Sequence, residues 1–444
     1  MEVDTIATST TLAEVHLAVI GGGAKAAALA AKADVLRQAQ LADVRLTVFE
    51  RSEVGANWTG KSGYTDGVQR LCTPAERDVG FPYRSGFGKE VDSLLYAQYS
   101  WASYVHTQPP GYELGYSTWV DAGRKPPLHK HFAEYLQWVV KKAGVTVIKG
   151  SVEGLKPVDR QWVIQHRNDA GKLVPGSAQL FDGVVVCGPG PARSISRKTE
   201  TARVFDGIDF WQRLPEVKRL IRKFGKELEI TLVGAGGTAA AALAWLVTNG
   251  CRDNQIVMVA DQAALFTRVD SVFENRLFSD EIAWAGLSST SRDAFFKRLN
   301  RGVVWSTVMD QVSSATRVAV QDGRAKAIRT LPRDAIELTV TREGRKAVKV
   351  RSDLLVDASG FNPWWFLGLI RGISAERRKD RHFQARLEQS MGSELQLKGA
   401  DWPYPLLHAP FVSSALGPGY GSLMVLGALS DRVLRAHVTT GTQP

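Results

Sequence analysis

The feature that most constrains this chain is a glycine-rich turn, set between an apolar run and an alanine-rich stretch, that occurs twice. The first copy follows residues 17–20 and reads Gly-Gly-Gly-Ala-Lys-Ala at 21–26. This G-x-G-x-x-A pattern predicts a strand, a tight turn and a helix. Gly21 permits the turn, Gly23 lets the backbone approach a pyrophosphate, and Ala26 allows close helix packing. The free N–H groups at the start of such a helix face a phosphate.

An acidic residue completes this first unit. Residues 46–50, Leu-Thr-Val-Phe-Glu, predict a second strand that ends at Glu50. A carboxylate in this place accepts hydrogen bonds from a ribose. Glycine-rich turns alone are common, but a strand, glycines, a helix, a strand and an acid in this order indicate a dinucleotide site.

The second copy lies near the middle of the chain. Residues 228–233 and 256–260 predict two strands, and the sequence between them begins Gly-Ala-Gly-Gly-Thr-Ala. We expect Gly234, Gly236 and Thr238 to contact a second nucleotide, although a plain turn without a ligand gives the same pattern. Two such units in one chain are typical of flavoproteins that bind FAD on the first and a nicotinamide cofactor on the second.

Two further strands that end in glycine, at residues 183–188 and 354–360, lie on either side of the second copy. In flavoproteins with two dinucleotides, strands of this kind bracket an inserted nicotinamide domain. We therefore predict an α/β fold with two Rossmann-like dinucleotide-binding domains, the second inserted in the first. The expected FAD domain comprises residues 1–200 and 350–444, and the expected nicotinamide domain comprises 201–349.

Composition excludes several other classes of protein. The net charge is +11, but the basic residues are scattered and no basic strip alternates with aromatics, so we expect no nucleic-acid partner. Cys72, Cys187 and Cys251 stand alone, which argues against a redox dithiol, and the histidines lack metal-ligand spacing. No signal peptide and no apolar run of membrane-spanning length is apparent, so we predict a cytoplasmic protein without a metal.

Several longer segments resemble flavin-dependent N-hydroxylases, which hydroxylate the side-chain amine of lysine or ornithine for siderophores. The resemblance runs from about residue 17 to about residue 434 and is strongest to the mycobactin-type lysine N6-hydroxylases. The segments that carry it are Gly-Ala-Asn-Trp at 55–58, Arg-Asp-Val-Gly-Phe-Pro-Tyr at 77–83, Phe-Glu-Asn-Arg-Leu-Phe at 273–278, Gly-Phe-Asn-Pro-Trp-Trp-Phe at 360–366 and Leu-Ser-Asp-Arg-Val at 429–433.

The resemblance implies an FAD- and NAD(P)H-dependent monooxygenase. In this family reduced FAD captures oxygen as a C4a-hydroperoxide, and the substrate amine takes the distal oxygen atom. Because the flavin carries the chemistry, we predict no catalytic side chain. The alternatives are another class B flavin monooxygenase, of the Baeyer–Villiger or sulfur-oxidising type, and a flavoprotein oxidase or reductase.

The resemblance also implies where an amino acid carboxylate binds. Relatives hold it with a basic residue, mostly Lys, at the position of Arg77. The bidentate guanidinium suits a carboxylate, while an ion pair of Arg77 with Glu76 or Asp78 is the alternative. Ornithine enzymes carry a Gln where this chain has Cys72, so lysine is favoured over ornithine, and a diamine stays open.

Three other positions match substrate-contacting residues of the family. Asn275 matches an Asn that contacts the backbone groups of the amino acid, and Asn300 falls where relatives place a second Asn or an Asp. Ser430 falls where the C-terminal segment meets the flavin and the amine. For both Asn300 and Ser430, capping of a helix is the alternative.

The nicotinamide preference rests on two residues after the second copy. Many relatives place an Arg for the 2′-phosphate of NADPH where this chain has Asp261, and an acid there suits the 2′-hydroxyl group of NADH. Arg268 could compensate, so we expect NADPH and keep NADH as an alternative. The resemblance further implies that Trp58 contacts a cofactor, that molecular oxygen and an amine are substrates, and that the chain forms a homo-oligomer.

Overall fold

The computed structural model describes residues 12–61, 64–109, 113–174, 176, 179–195, 201–262, 264–268, 271–299 and 303–438. The strands are β1 Glu14–Ile20, β2 Asp43–Glu50, β3 Thr146–Val158, β4 Gln161–Asn168, β5 Leu173–Val174, β6 Gly183–Val186, β7 Val204–Asp206, β8 Ile230–Val233, β9 Ile256–Ala260, β10 Phe266–Arg268, β11 Val303–Trp305, β12 Val318–Asp322, β13 Arg324–Thr330, β14 Ile336–Arg342, β15 Arg345–Ser352, β16 Leu354–Asp357 and β17 Leu407–His408.

The helices lie on the faces of the sheets and in the segments between them. They are α1 Ala24–Gln38, α2 Lys89–Tyr99, α3 Trp101–His106, α4 Tyr116–Asp121, α5 His129–Lys142, α6 Asp209–Gln212, α7 Leu214–Phe224, α8 Gly237–Leu246, α9 Val272–Ser279, α10 Glu281–Ala285, α11 Ser289–Leu299, α12 Ser306–Val312, α13 Ala375–Lys379, α14 Arg381–Gln389 and α15 Leu426–Arg435. In the part of the chain described, no helix is both long and apolar enough to span a membrane.

The first sheet is built around the first glycine-rich turn. Its strand order is β17-β6-β1-β2-β3-β4-β5. The pairs β17–β6, β6–β1, β1–β2 and β2–β3 are parallel, and β4 and β5 join as antiparallel strands. The carboxyl ends of β1, β2 and β6 therefore meet at one edge, as a nucleotide-binding sheet requires.

Helix α1 is buried on nearly all sides because its sequence is mostly alanine, which allows close approach of its neighbours. Its interior also holds a charge. Lys32 Nζ donates to Asp431 Oδ1 of α15 at 2.5 Å, and only 1% and 5% of these side chains are exposed. Asp431 accepts two more bonds, from Ser85 Oγ at 2.8 Å and from the Gly86 backbone N–H at 2.7 Å. The carboxylate thus joins α1, α15 and the loop before α2.

The second sheet, β12-β9-β8-β16-β7, is parallel throughout. We expected residues beyond 350 to belong to the first domain, but β16 lies between β8 and β7 in the second sheet. All four residues of β16 are buried, as is typical of a central parallel strand. The return of the chain to the first sheet therefore comes after β16.

The two passages of the chain between the sheets run side by side. The Arg193 N–H donates to the Gly360 carbonyl at 2.8 Å, and the Asn362 N–H donates to the Pro191 carbonyl at 3.0 Å. Ala192 and Phe361 form an antiparallel bridge between these bonds. The predicted architecture, an α/β fold in which a second dinucleotide-type sheet is inserted in the first, is confirmed in its strand order.

The segment that contains α9, α10 and α11 leaves the second sheet and packs against the first domain. Phe278 of α9 belongs to the same apolar core as Leu426 and Leu429 of α15. At the start of α10, Glu281 accepts hydrogen bonds from Tyr420 and from Arg432. Contacts of both kinds hold this segment on the C-terminal part of the chain.

Candidate active site

The first glycine-rich turn has the geometry of a pyrophosphate cradle. Gly21 has a φ of +100°, a conformation that side chains disfavour, and its N–H donates to the Phe49 carbonyl at 2.9 Å. Gly23 precedes α1, whose first turn has neither a capping side chain nor an acidic residue. The N–H groups of that turn are therefore available to an anion. Ala26 is fully buried, which is consistent with close packing of this helix.

Glu50 closes the other side of this cradle. Its Oε2 accepts from the Gly22 N–H at 2.7 Å, and its Oε1 accepts from the Ser52 N–H at 2.9 Å. Each carboxylate oxygen keeps a further lone pair for a ribose hydroxyl. The predicted contact Trp58 lies beside Gly23, 3.9 Å from the position that a Cβ there would take.

A cavity of about 340 Å³ lies along this edge of the first sheet. It extends from the glycine-rich turn to the loop after β6, so it joins the predicted pyrophosphate cradle to the neighbouring strand end. Its lining comprises Ile20, Gly21, Gly22, Gly23, Phe49, Glu50, Arg51, Ser52, Ala56, Asn57, Tyr64, Gly150, Ser151, Val152, Cys187, Gly188, Pro189, Gly190, Pro191 and Trp365.

The second glycine-rich turn repeats the geometry of the first. Gly234 has a φ of +104°, and its N–H donates to the Val259 carbonyl at 2.8 Å. Gly236 precedes α8, which again starts without a capping side chain or an acidic residue. A Cβ at Gly236 would meet nothing within 4 Å, so the space that a pyrophosphate needs is open. Thr238 lies in the first turn of α8.

The predicted cofactor contact Arg268 has protein partners of its own. It is 9% exposed, and its guanidinium pairs with Glu274 at 3.0 Å. It also lies 4.5 Å from the ring of Phe278 and 4.8 Å from that of Trp305. Its contact with a 2′-phosphate stays a prediction, and such a contact would have to compete with the Glu274 carboxylate.

The cation beside Asp261 is Arg324, at the start of β13. Arg324 Nη2 lies 3.0 Å from Asp261 Oδ2, and the side chains are 73% and 50% exposed. Sequence reasoning missed Arg324 because it lies 63 positions away from Asp261. Only Gly323 separates Arg324 from the end of β12, the strand beside β9 in the sheet. A charged residue just after a strand end is the signal that could have found it.

The predicted carboxylate ligand Arg77 lies in a loop of the first domain. Its Nη1 donates to Thr73 Oγ1 at 2.9 Å. Asp78, considered as its partner, points into the protein instead, where it accepts from the Tyr83 hydroxyl at 2.7 Å and the Trp101 N–H at 2.8 Å. Burial raises the pKa of Asp78 to about 6 despite these donors. Asp78 therefore holds the loop that presents Arg77.

Cys72 lies within electrostatic reach of Arg77 and Arg268. Its side chain is exposed, yet the protein around it desolvates the thiol and raises its pKa, against the opposing effects of Arg268 and Arg77. Both arginines must therefore lie near Cys72. Arg268 Nη2 donates to Asn275 Oδ1 at 3.3 Å, so Arg268 connects the surroundings of Cys72 to Asn275.

The two remaining substrate predictions have different outcomes. Asn300 lies outside the described residues. Ser430 has no exposed surface, and its hydroxyl donates to the Gly427 carbonyl of the same helix at 2.9 Å. It neither caps α15, whose N-cap residue is Val425, nor presents its hydroxyl at a surface that a ligand could reach. The Ser430 prediction is corrected accordingly: it packs inside the protein.

Two cradles of this kind, each between parallel strands, define a flavoprotein with two dinucleotide sites. One of the two sheets is inserted in the other. Residues 96–362 match the family of L-lysine 6-monooxygenases and L-ornithine 5-monooxygenases. Together with the relatives below, this match shows that the chain belongs to that family. The predicted enzyme class, an amino acid N-monooxygenase, is confirmed, and neither alternative class finds support.

The relatives include full-length matches. The L-lysine N6-monooxygenase MbtG of Mycobacterium tuberculosis is 34% identical over 443 residues, which cover 96% of each chain. The solved lysine monooxygenase NbtG of Nocardia farcinica is 33% identical, with a TM-score of 0.77 over 94% of this chain and 99% of that one.

A more distant solved structure is the ornithine N-hydroxylase KtzI of Kutzneria sp. 744, with reduced FAD, NADP⁺ and L-ornithine. It is 15% identical, with a TM-score of 0.69 over 95% of this chain and 98% of that one. This likeness supports the fold. The solved NbtG structure has an NADPH domain, in agreement with the second cofactor predicted here.

Proposed function

We propose that this enzyme hydroxylates the side-chain amine of L-lysine, with FAD and NADPH, for a siderophore or another hydroxamate natural product. The observation that carries the proposal is the 34% identity to L-lysine N6-monooxygenase MbtG over 96% of both chains. L-Ornithine is the second candidate because the family includes both activities.

In this proposal the first cradle holds FAD and the second holds NADPH. The start of α1 binds the FAD pyrophosphate, and Glu50 accepts a ribose hydroxyl. The start of α8, after Gly236, binds the nicotinamide pyrophosphate. The uncapped first turns of both helices support these roles. Bound FAD, once reduced, supplies the activated oxygen that the amine receives.

The residues around Cys72 orient the amino acid. Arg77 binds the carboxylate with its planar fork, and Asn275, bonded to Arg268, contacts the backbone groups of the amino acid. A fixed carboxylate sets the distance at which the terminal amine of an extended side chain arrives.

The terminal amine must be neutral to react. A lysine amine has a pKa of about 10.4 in water, and only its neutral form can attack. A pocket beside the flavin that excludes water lowers this pKa, because desolvation disfavours the charged form of the amine.

The domain boundaries, the localisation and the assembly of the protein complete the proposal. We assign the FAD domain to residues 1 to about 195 and about 360 to 444, with the nicotinamide domain between them, on the strand pairing of β16. We propose a cytoplasmic homo-oligomer. Exposed apolar side chains on α9 and α10 support self-association: Val272, Phe273 and Ile282 are 73%, 84% and 86% exposed. Light scattering of the purified protein tests this assembly.

The experiment for the activity compares substrates on the FAD-loaded enzyme. L-Lysine, L-ornithine and cadaverine are each supplied with NADPH, and the hydroxylamine product is measured against hydrogen peroxide. We expect lysine to give mostly hydroxylamine and cadaverine, which lacks the carboxylate, to give mostly peroxide. Peroxide alone with all three amines would contradict N-hydroxylation, and a higher product yield with ornithine would reverse the order of the two amino acids.

A further inference from the structure

The end of β9 is where a dinucleotide sheet distinguishes its two nicotinamide cofactors. Strand β8 leads into the glycine-rich turn and α8, and β9 is its parallel neighbour in the sheet. In this arrangement the adenosine half of the cofactor lies across the end of the second strand. The side chains that follow β9 therefore meet the 2′ position of the ribose, which carries a hydroxyl group in NADH and a phosphate in NADPH.

Two opposite charges stand at this strand end. Asp261 directly follows β9, and the Gly323 N–H donates to the Ala260 carbonyl at 2.8 Å, which fixes the start of β13 beside it. Arg324 then pairs with Asp261 at 3.0 Å. Both side chains keep much of their surface exposed, so a ligand can reach either of them.

The pair is weak enough for a ligand to rearrange it. Exposed ion pairs contribute little to stability because water screens them. A phosphate carries more charge than a carboxylate and accepts a bidentate bond from an arginine. It can therefore take over Arg324, while the negative charge of Asp261 opposes it.

We propose that the Asp261–Arg324 pair sets the choice of nicotinamide cofactor, an inference that rests on the proposed function. Arg324 binds the 2′-phosphate of NADPH, and Asp261 accepts a hydrogen bond from the 2′-hydroxyl group of NADH. The pair replaces the single basic residue that would exclude NADH, so the enzyme accepts both cofactors and prefers NADPH only moderately.

The test measures binding without turnover. The FAD-loaded enzyme is titrated with 2′,5′-ADP and with 5′-AMP by calorimetry, because these probes differ only in the 2′-phosphate. Arg324→Ala should weaken 2′,5′-ADP by about tenfold or more, the effect of one lost charge-assisted hydrogen bond, and leave 5′-AMP nearly unchanged. Asp261→Asn should strengthen 2′,5′-ADP severalfold and weaken 5′-AMP.

Arg329→Ala is the matched control. Arg329 lies on the same strand, 70% exposed and 3.3 Å from Glu337, so its loss should change neither affinity. Equal binding of 2′,5′-ADP by the wild type and Arg324→Ala would overturn the proposal, as would an equal loss for both probes. The lysine assay is read separately: failure to form hydroxylamine contradicts the proposed function, whereas the difference between the two probes tests only the pair.

Discussion

Replacement of Asp431 by alanine should lower the free energy of unfolding of this protein by more than replacement of an exposed ion-pair residue would. The carboxylate accepts from Lys32 at 2.5 Å, Ser85 at 2.8 Å and the Gly86 N–H at 2.7 Å. Asp431→Ala removes all three bonds and leaves the Lys32 ammonium inside α1, where 1% of that side chain is exposed.

The size of the effect follows from this burial. Breaking a buried ion pair by removing one partner costs about 3–5 kcal/mol, chiefly because the remaining charge is left without compensation. Replacing both partners by apolar residues removes that charge. The double variant Lys32→Met, Asp431→Leu should therefore be more stable than Asp431→Ala, although Ser85 and Gly86 still lose their acceptor.

Urea unfolding of the FAD-loaded protein, followed by circular dichroism, measures these differences. Asp169→Ala is the control, because Asp169 pairs with Lys149 at 2.6 Å but both side chains are more than half exposed. Its loss should cost less than about 1 kcal/mol. If Asp431→Ala matched this control, or if the double variant were as unstable as the single one, the reasoning from burial would be refuted.

Three further predictions concern the ligand sites and pH. Arg77→Ala should raise the KM for lysine about tenfold or more while stopped-flow reduction of FAD by NADPH stays unchanged; Arg77→Lys should retain much of the binding, and an unchanged KM would remove Arg77 from the site. Glu50→Ala should lower FAD affinity about tenfold in equilibrium dialysis, whereas equal retention of FAD would show that Glu50 does not bind the ribose. His408 and His437 are joined Nε2 to Nε2 at 2.9 Å, and burial lowers their pKa values to about 4 and about 3. Because an unfolded histidine has a pKa of about 6.5, the unfolded chain binds more protons below that pH, and stability should fall as pH drops from about 6.5 to about 4. His437→Phe should reduce this slope by about 1.4 kcal/mol per pH unit, and an unaltered slope in urea titrations would contradict the assignment.

Local sequence was sufficient to predict the fold where a segment determines its own conformation. The first glycine-rich turn, α1 and β2 lie where the pattern predicts them, since a glycine turn, an alanine-rich helix and an apolar strand depend on near neighbours. Strand β16 is different. Its buried run predicts a central strand but does not identify the sheet, because the partners β8 and β7 are distant in the chain.

Side-chain partners were predicted less well than backbone structure, because those partners are also distant in the chain. Arg268 has a charge suited to a phosphate, but its partners in the structure are Glu274 and two aromatic rings, which its own sequence neighbourhood does not reveal. Ser430 was placed at the flavin by its motif. Only the packing of α15 shows that the serine faces inward. The next residue, Asp431, forms the buried ion pair with Lys32.

The residue proposed to contact the amino acid is joined to both apolar cores. Asn275 lies on a segment anchored in the first core through Phe278. Its bonding partner Arg268 ends strand β10, and Leu265, just before that strand, packs against the second core, which contains α8. Two ligands influence each other only as far as the protein between them changes. Movement of α8 on binding the nicotinamide cofactor should therefore be transmitted to the amino acid site through β10.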